Sequence, residues 1–235
     1  METTPATKAL IYNLIILDES GSMSCVTAQT ISGCNETINT IKHSAQEYAD
    51  TQEHFISIFA FQGGGRPSRY LMKNVPALAA KHITAEDYEP WGNTPLYDAI
   101  GSTVTDLKSI TSEMPMAIGS VTIITDGEEN SSTRYSHPQV QRMISQLKEI
   151  GWNFNFIGAN IDVERTARSL NIDNAMAFKQ DDAGTKMAFA RLAKGQAKLS
   201  KRMSDIMMDR DCCYEARIEK LKKDEKTFFN DTDEE

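Results

Sequence analysis

The chain is predicted to be an α/β protein. It reads as a three-layer α/β/α sandwich around a doubly wound, mostly parallel sheet with one antiparallel edge strand, followed by a C-terminal helical extension. Three observations predict this. Residues 9–17 form a nearly unbroken apolar run of strand length and 120–125 a shorter run that reads as another buried strand, as expected of strands covered by helices on both faces. Segments with a helical repeat of apolar residues alternate with such runs, and this order builds a parallel sheet through right-handed crossovers. Both runs end in loops rich in acids, at residues 18–22 and 126–129, where open α/β sheets hold ligands.

Each element has its own signal. After the strand at 9–17, Cys34, Ile38, Ile41, Ala45 and Tyr48 recur at steps of four and three and line one helix face. Residues 54–61 read as a strand. The glycine-rich stretch 62–68 then reads as a hairpin loop, and 69–75 as the returning antiparallel strand. Residues 76–93 are irregular. Thr94-Pro95 opens the next helix, with Thr94 expected at the N-cap, and Leu96, Ile100, Val104 and Leu107 keep the period. A strand at 120–125 and a helix over 137–150 follow, the helix stopped by Gly151. Trp152, Phe154 and Phe156 alternate along a strand at 152–158. A short helix near 162–170, a strand at 175–179 and helix from Asp182 to about 223 complete the order. Phe189, Leu192, Gln196, Leu199, Met203 and Ile206 form the inward stripe of this last helix. Residues 1–200 are expected to form the domain. Residues 201–235 are expected to form a charged extension that projects and ends in an acidic tail.

Composition narrows the function. Among 235 residues the net charge is −8, which argues against a nucleic-acid binder with a basic face. No apolar run reaches membrane-spanning length, and the first ten residues lack the pattern of a secretion signal, so a cytoplasmic location is expected. Cys25, Cys34, Cys212 and Cys213 form no CxxC pair and fit free thiols in a reducing compartment. The four histidines are scattered without ligand spacing, so zinc is not expected.

The candidate site is Asp18, Ser20, Ser22, Thr94 and Asp126. A doubly wound sheet sets the strand ending at Asp18 beside the strand ending before Asp126, so both acids face one crevice. Ser20 and Ser22 follow Asp18 at alternate positions, and Gly21 permits the backbone bend between them. Hard oxygens with few formal charges suit Mg²⁺ or Mn²⁺, with Ca²⁺ less favoured.

This set in this order resembles the metal-ion-dependent adhesion site of von Willebrand factor A (vWA) domains. The segments DESGSM, GNTPLYDAI and ITDGEEN look like the stand-alone bacterial members, and the resemblance covers roughly residues 8–200. It implies that Ser20, Ser22 and Thr94 supply hydroxyl oxygens, that Asp18 and Asp126 act directly or through water, and that one coordination position stays open for a partner's carboxylate. Gly21, Asp98 and Glu128 are candidate supporting residues. By analogy with cytoplasmic bacterial relatives, the partner presenting that acid is an ATPase or an assembly complex.

Simpler roles stand beside these. Ser22 and Thr94 also suit helix caps, Asp98 a first-turn acid favoured by the helix dipole, and Glu128 and Glu129 a solvated turn. Gly63–Gly65 precede no Gly-Lys-Ser/Thr and fit a hairpin better than a phosphate loop. A Mg²⁺-dependent hydrolase or phosphatase is the enzymatic alternative. Ser20 stands where a phosphoaspartate phosphatase places its second acid, and no nucleophile–base pattern is found, so the expectation is a binding protein and not an enzyme. A third possibility is a structural subunit that uses the cation for stability alone.

Overall fold

A computed structural model describes residues 8–114, 116–159, 162–209, 212–223 and 228–229. Six strands form one sheet in the order β3-β2-β1-β4-β5-β6: β1 (Ala9–Asp18), β2 (Gln52–Phe61), β3 (Arg69–Pro76), β4 (Ala117–Thr125), β5 (Asn153–Gly158) and β6 (Asn174–Ala177). Every neighbouring pair is parallel except β2 and β3, the hairpin expected around the glycine-rich loop. That pair carries register shifts between Ile56 and Ile58 and between Ile58 and Phe59.

The apolar runs are buried because helices cover both faces. On one side α2 (Leu96–Thr111), α3 (His137–Lys148) and α4 (Val163–Ser169) pack through Ile100, Val104, Val140, Ile144 and Ala167 onto Leu14, Ile16, Val121, Ile123, Phe154 and Phe156. On the other, α1 (Thr27–Glu47) and the start of α5 (Asp182–Met208) pack through Ile38, Ile41, Phe189 and Leu192 onto Ile15, Leu17, Ile56, Ile58 and Ile124. Alternate residues of one strand therefore feed opposite cores. The helices α1 and α5 approach closely at Gly33, where an added Cβ would lie 2.1 Å from the ring of Phe189.

A 3₁₀ turn, Gly21–Val26, separates β1 from α1. One expectation changes. The charged extension does not simply project. Helix α5 ends at Met208, and α6 (Tyr214–Lys223) buries Ile218 and Leu221 against the Gly151 turn, while Phe228 packs on Gly195. Ile218 and Leu221, three residues apart, supply the buried face of a helix in which most other positions are charged.

Sheet order fixes the site. The chain winds from β1 toward β2 in one direction and returns to β4 on the other side, so β1 and β4 lie side by side and their C-terminal ends open into the same crevice.

Candidate metal centre

Asp18 is the last residue of β1 and Asp126 follows β4, so Leu17 pairs with Ile124 and the two acids leave the sheet together. Asp18 is fully buried, and both of its oxygens are engaged. Oδ1 accepts the Ser20 N–H at 2.7 Å, and Oδ2 accepts the Thr125 hydroxyl at 2.5 Å. Its carbonyl accepts the Tyr88 hydroxyl at 2.6 Å. Burial raises the Asp18 carboxyl to about 6, against the lowering effect of the Thr125 and Ser20 hydrogen bonds; the charge of Asp126 adds to the rise. Burial also raises Asp126 above its usual range, against hydrogen bonds from Ser22 and Gln180.

The hydroxyls converge on the same point. Ser20 Oγ and Ser22 Oγ are 3.2 Å apart, and Ser22 Oγ donates to Asp126 Oδ1 at 2.6 Å. Thr94 is buried. A Cβ added to Gly127 would lie 3.2 Å from Thr94 Oγ1 and 4.0 Å from Ser22 Oγ, so the glycine after Asp126 leaves a hollow between these two hydroxyls. Pro95, not Thr94, is the N-cap of α2, and Ser22 lies inside the 3₁₀ turn whose N-cap is Ser20. Neither Ser22 nor Thr94 is a helix cap, and both hydroxyls face the crevice. The Thr94 backbone is set by Asn130, whose Oδ1 accepts its N–H at 2.8 Å.

The donor set suits a hard cation. Two carboxylates and three hydroxyls share one crevice, and the hollow at Gly127 is one that a methyl would fill. Among the described residues no group of three or more His, Cys, Asp or Glu side chains is placed to hold a metal, so a site here depends on the hydroxyls.

The supporting residues are distributed differently from expectation. Asp98 does not reach into the crevice: its carboxylate accepts the N–H groups of Thr133 (2.9 Å), Arg134 (2.8 Å) and Tyr135 (2.8 Å) and so ties that loop to α2. Burial pushes its carboxyl up, but these donors outweigh it and hold the group below its usual range. Glu128 is exposed. Its neighbour Glu129 is no solvated turn residue, because it accepts from the N–H groups of Tyr97, Ser131 and Ser132 and from the Ser132 hydroxyl. Gly21 donates its N–H to Gly92 O at 3.1 Å, which seats the 91–93 loop against the two serines.

Sequence reasoning missed three residues. Glu19 is fully buried and accepts both terminal nitrogens of Arg69 (2.7 and 3.0 Å), Gln62 Nε2 (2.9 Å) and Glu89 N (2.7 Å). Burial alone would raise its carboxyl, yet these bonds leave it lowered. Thr125 holds Asp18. Gln180, between β6 and α5, donates from Nε2 both to Ser22 O at 2.9 Å and to Asp126 Oδ2. The only sequence signal for Glu19 and Thr125 is their position beside the two aspartates; Gln180 has none.

The comparisons with known proteins bear on the fold. No protein-family model and no curated protein sequence matches this chain. Among solved structures, the pilus adhesin SpaC from Lactobacillus rhamnosus GG in its open conformation is similar with a TM-score of 0.59 and 14% identity, over 82% of this chain and 30% of that one. The ArnB paralog VWA2 from Sulfolobus acidocaldarius is similar at 0.50 and 18%, over 80% of this chain and 46% of that one. The fold is that of a vWA domain. The PilB minor pilin from Streptococcus sanguinis is similar at 0.52 and 11%, over 87% of this chain and 63% of that one. This vWA-fold chain thus spans less than two thirds of each of these three proteins. No helix among its described residues is long and apolar enough to cross a membrane.

Proposed function

We propose that the chain is a divalent-metal-dependent protein-binding module in which an Asp or Glu of a partner completes the coordination of Mg²⁺ or Mn²⁺. The observation that carries this reading is the convergence of Ser20, Ser22, Thr94, Asp18 and Asp126 from three separate loops at the switch point of the sheet. Ser20, Ser22 and Thr94 would hold the ion by their hydroxyls, and the two aspartates would balance its charge. A bound ion supplies an electrophile for an incoming carboxylate. The chain's own work is to keep the hydroxyls aimed. Thr125 and the Ser20 N–H fix Asp18, and Ser22 fixes Asp126.

Placement of the histidines supports binding rather than catalysis. His54 is buried among Asn13 and Gln52 toward the other end of the strands, and His137 bonds Ser169 at 3.0 Å, so neither serves as a base at the crevice. Four cysteines without a disulfide support a reducing, cytoplasmic setting. An ATPase or assembly complex is the proposed partner class. Titration calorimetry with Mg²⁺ and Mn²⁺ is expected to show one site that Asp18→Ala abolishes. Affinity capture in Mg²⁺ is expected to recover a partner that EDTA and Asp18→Ala each release. Capture that survives both treatments refutes the reading. Chelation that lowers the melting temperature but leaves the partner bound assigns the ion to stability alone.

A further inference from the structure

The five oxygen-bearing side chains of the crevice do not account for Gln180. Its amide nitrogen donates to Ser22 O at 2.9 Å and to Asp126 Oδ2. Ser22 Oγ already holds Asp126 Oδ1 at 2.6 Å. The carboxylate of Asp126 is therefore gripped at both oxygens by neutral donors, one from the first site loop and one from the segment between β6 and α5.

That segment is fixed by its surroundings. Asp181 caps α5 by accepting the Gly184 N–H at 2.7 Å, and Gln29 of α1 donates to Asp182 Oδ1 at 2.5 Å. A Cβ at Gly184 would stand 2.3 Å from the carbonyl oxygen of Lys179, so only glycine lets residues 179–180 lie this close over the first turn of the helix. The backbone that carries Gln180 is thus held from both sides, and its side chain is delivered to the crevice.

We propose that Gln180 is a sixth residue of the cation site and that it competes with the cation. An amide –NH₂ carries two partially positive hydrogens, and here one is spent on the carboxylate that a divalent ion needs for charge balance. Gln180 thereby stands in for part of the ion's charge. The crevice keeps its shape without the ion, and the ion binds only after displacing or sharing this donor. Metal affinity rises with the negative charge left to the ion, so the Gln180 amide sets that affinity lower than the five residues alone would give. This inference rests on the metal-binding reading of the site.

The test is direct binding of Mn²⁺, followed by calorimetry and by Mn²⁺ electron paramagnetic resonance, with the full chain and two variants. Gln180→Met keeps the size of the side chain and removes its donors. Gln180→Glu replaces the donor by a carboxylate oxygen facing Asp126. The expected order of affinity is Gln180→Glu, then Gln180→Met, then the native chain, with Gln180→Met about three- to tenfold tighter than native, the shift expected from removing one charge-assisted hydrogen bond. Circular dichroism of each metal-free variant confirms that it is folded, and Gln180→Ala replaces any variant that is not. An affinity for Gln180→Met equal to or weaker than the native one overturns the proposal, because Gln180 then orients the site or plays no part. Absence of Mn²⁺ binding in the native chain and in all variants sinks the metal-binding reading itself. Binding gained only in the variants supports both.

Discussion

Asp18 and Glu19 are adjacent, both carboxylates are fully buried, and their surroundings are opposite. Glu19 points away from the crevice to Arg69, which meets it with two nitrogens and continues to Asp87 O at 2.6 Å. Gln62 and the Glu89 N–H complete its set, so this acid staples the β2–β3 hairpin and the 84–91 loop to the end of β1. Asp18 turns into the crevice and receives only neutral donors. Among the described residues, no lysine or arginine pairs with Asp18 or Asp126. The difference teaches how one strand end serves two purposes. A cation of the chain's own stands where the structure is permanent, and neutral hydrogen bonds hold the carboxylates where the proposed external cation would be received.

The largest way to break the comparison is to remove the permanent cation. Arg69→Ala leaves Glu19 buried and uncompensated, which is expected to cost about 3–5 kcal/mol in urea unfolding. A companion change of Glu19→Gln should return part of that loss, because the buried charge goes with its partner.

Opposite pH responses come next. The folded-state carboxyl of Asp18 lies at about 6, above its ordinary value of 3.8. The folded protein therefore binds this proton more tightly than the unfolded chain. The contribution is fully present below the ordinary value and is lost as pH rises through about 6, roughly 3 kcal/mol for a two-unit shift. Glu19 is held below its ordinary 4.5, so its contribution is present above that value and lost as pH falls through the folded one. Metal-free protein is thus expected to lose stability between about pH 4 and pH 6.5, the interval set by the ordinary and folded values of Asp18, and Asp18→Asn to flatten that loss, as read from denaturant melts at each pH. A slope unchanged by Asp18→Asn would show that burial does not burden this carboxyl.

Adding the ion should remove the penalty. Mg²⁺ or Mn²⁺ at about one hundred times its dissociation constant is expected to add about 2.7 kcal/mol to stability, measured by thermal shift, and Asp18→Ala to abolish the gain. The smallest effect sharpens the boundary of the site. Glu128→Ala, at an exposed position, is expected to change stability by less than about 0.5 kcal/mol and to leave Mn²⁺ affinity unchanged. A clear loss of affinity would move Glu128 into the site.

The sequence reveals most where a signal is contiguous. Asp18, Ser20 and Ser22 lie within five residues at the end of a nearly unbroken apolar strand, and the order of elements then sets Asp126 beside them. The strand and helix runs are legible for the same reason, since alternation and helical period are local. Partners chosen by tertiary packing are not legible. Nothing near Glu19 points to Arg69, fifty residues on, and nothing near Asp126 points to Gln180. Glu129 reads as a turn acid because its three backbone donors arise only when the loop folds over the start of α2. The packing of α6 is hidden because Ile218 and Leu221 are diluted among charges.

The edges of the sheet have a consequence for how this molecule meets others. At one side β3 pairs with β2 through two register shifts and ends at Pro76, which has no N–H to offer. At the other, β6 is only four residues long, Asn174–Ala177. Neither margin offers a long, regular row of backbone donors and acceptors, so copies of the chain gain little from extending one another's sheets into fibres. Strand addition at either margin is thus disfavoured, and the loops at the C-terminal ends of β1 and β4 lie clear of both margins, at the centre of the sheet.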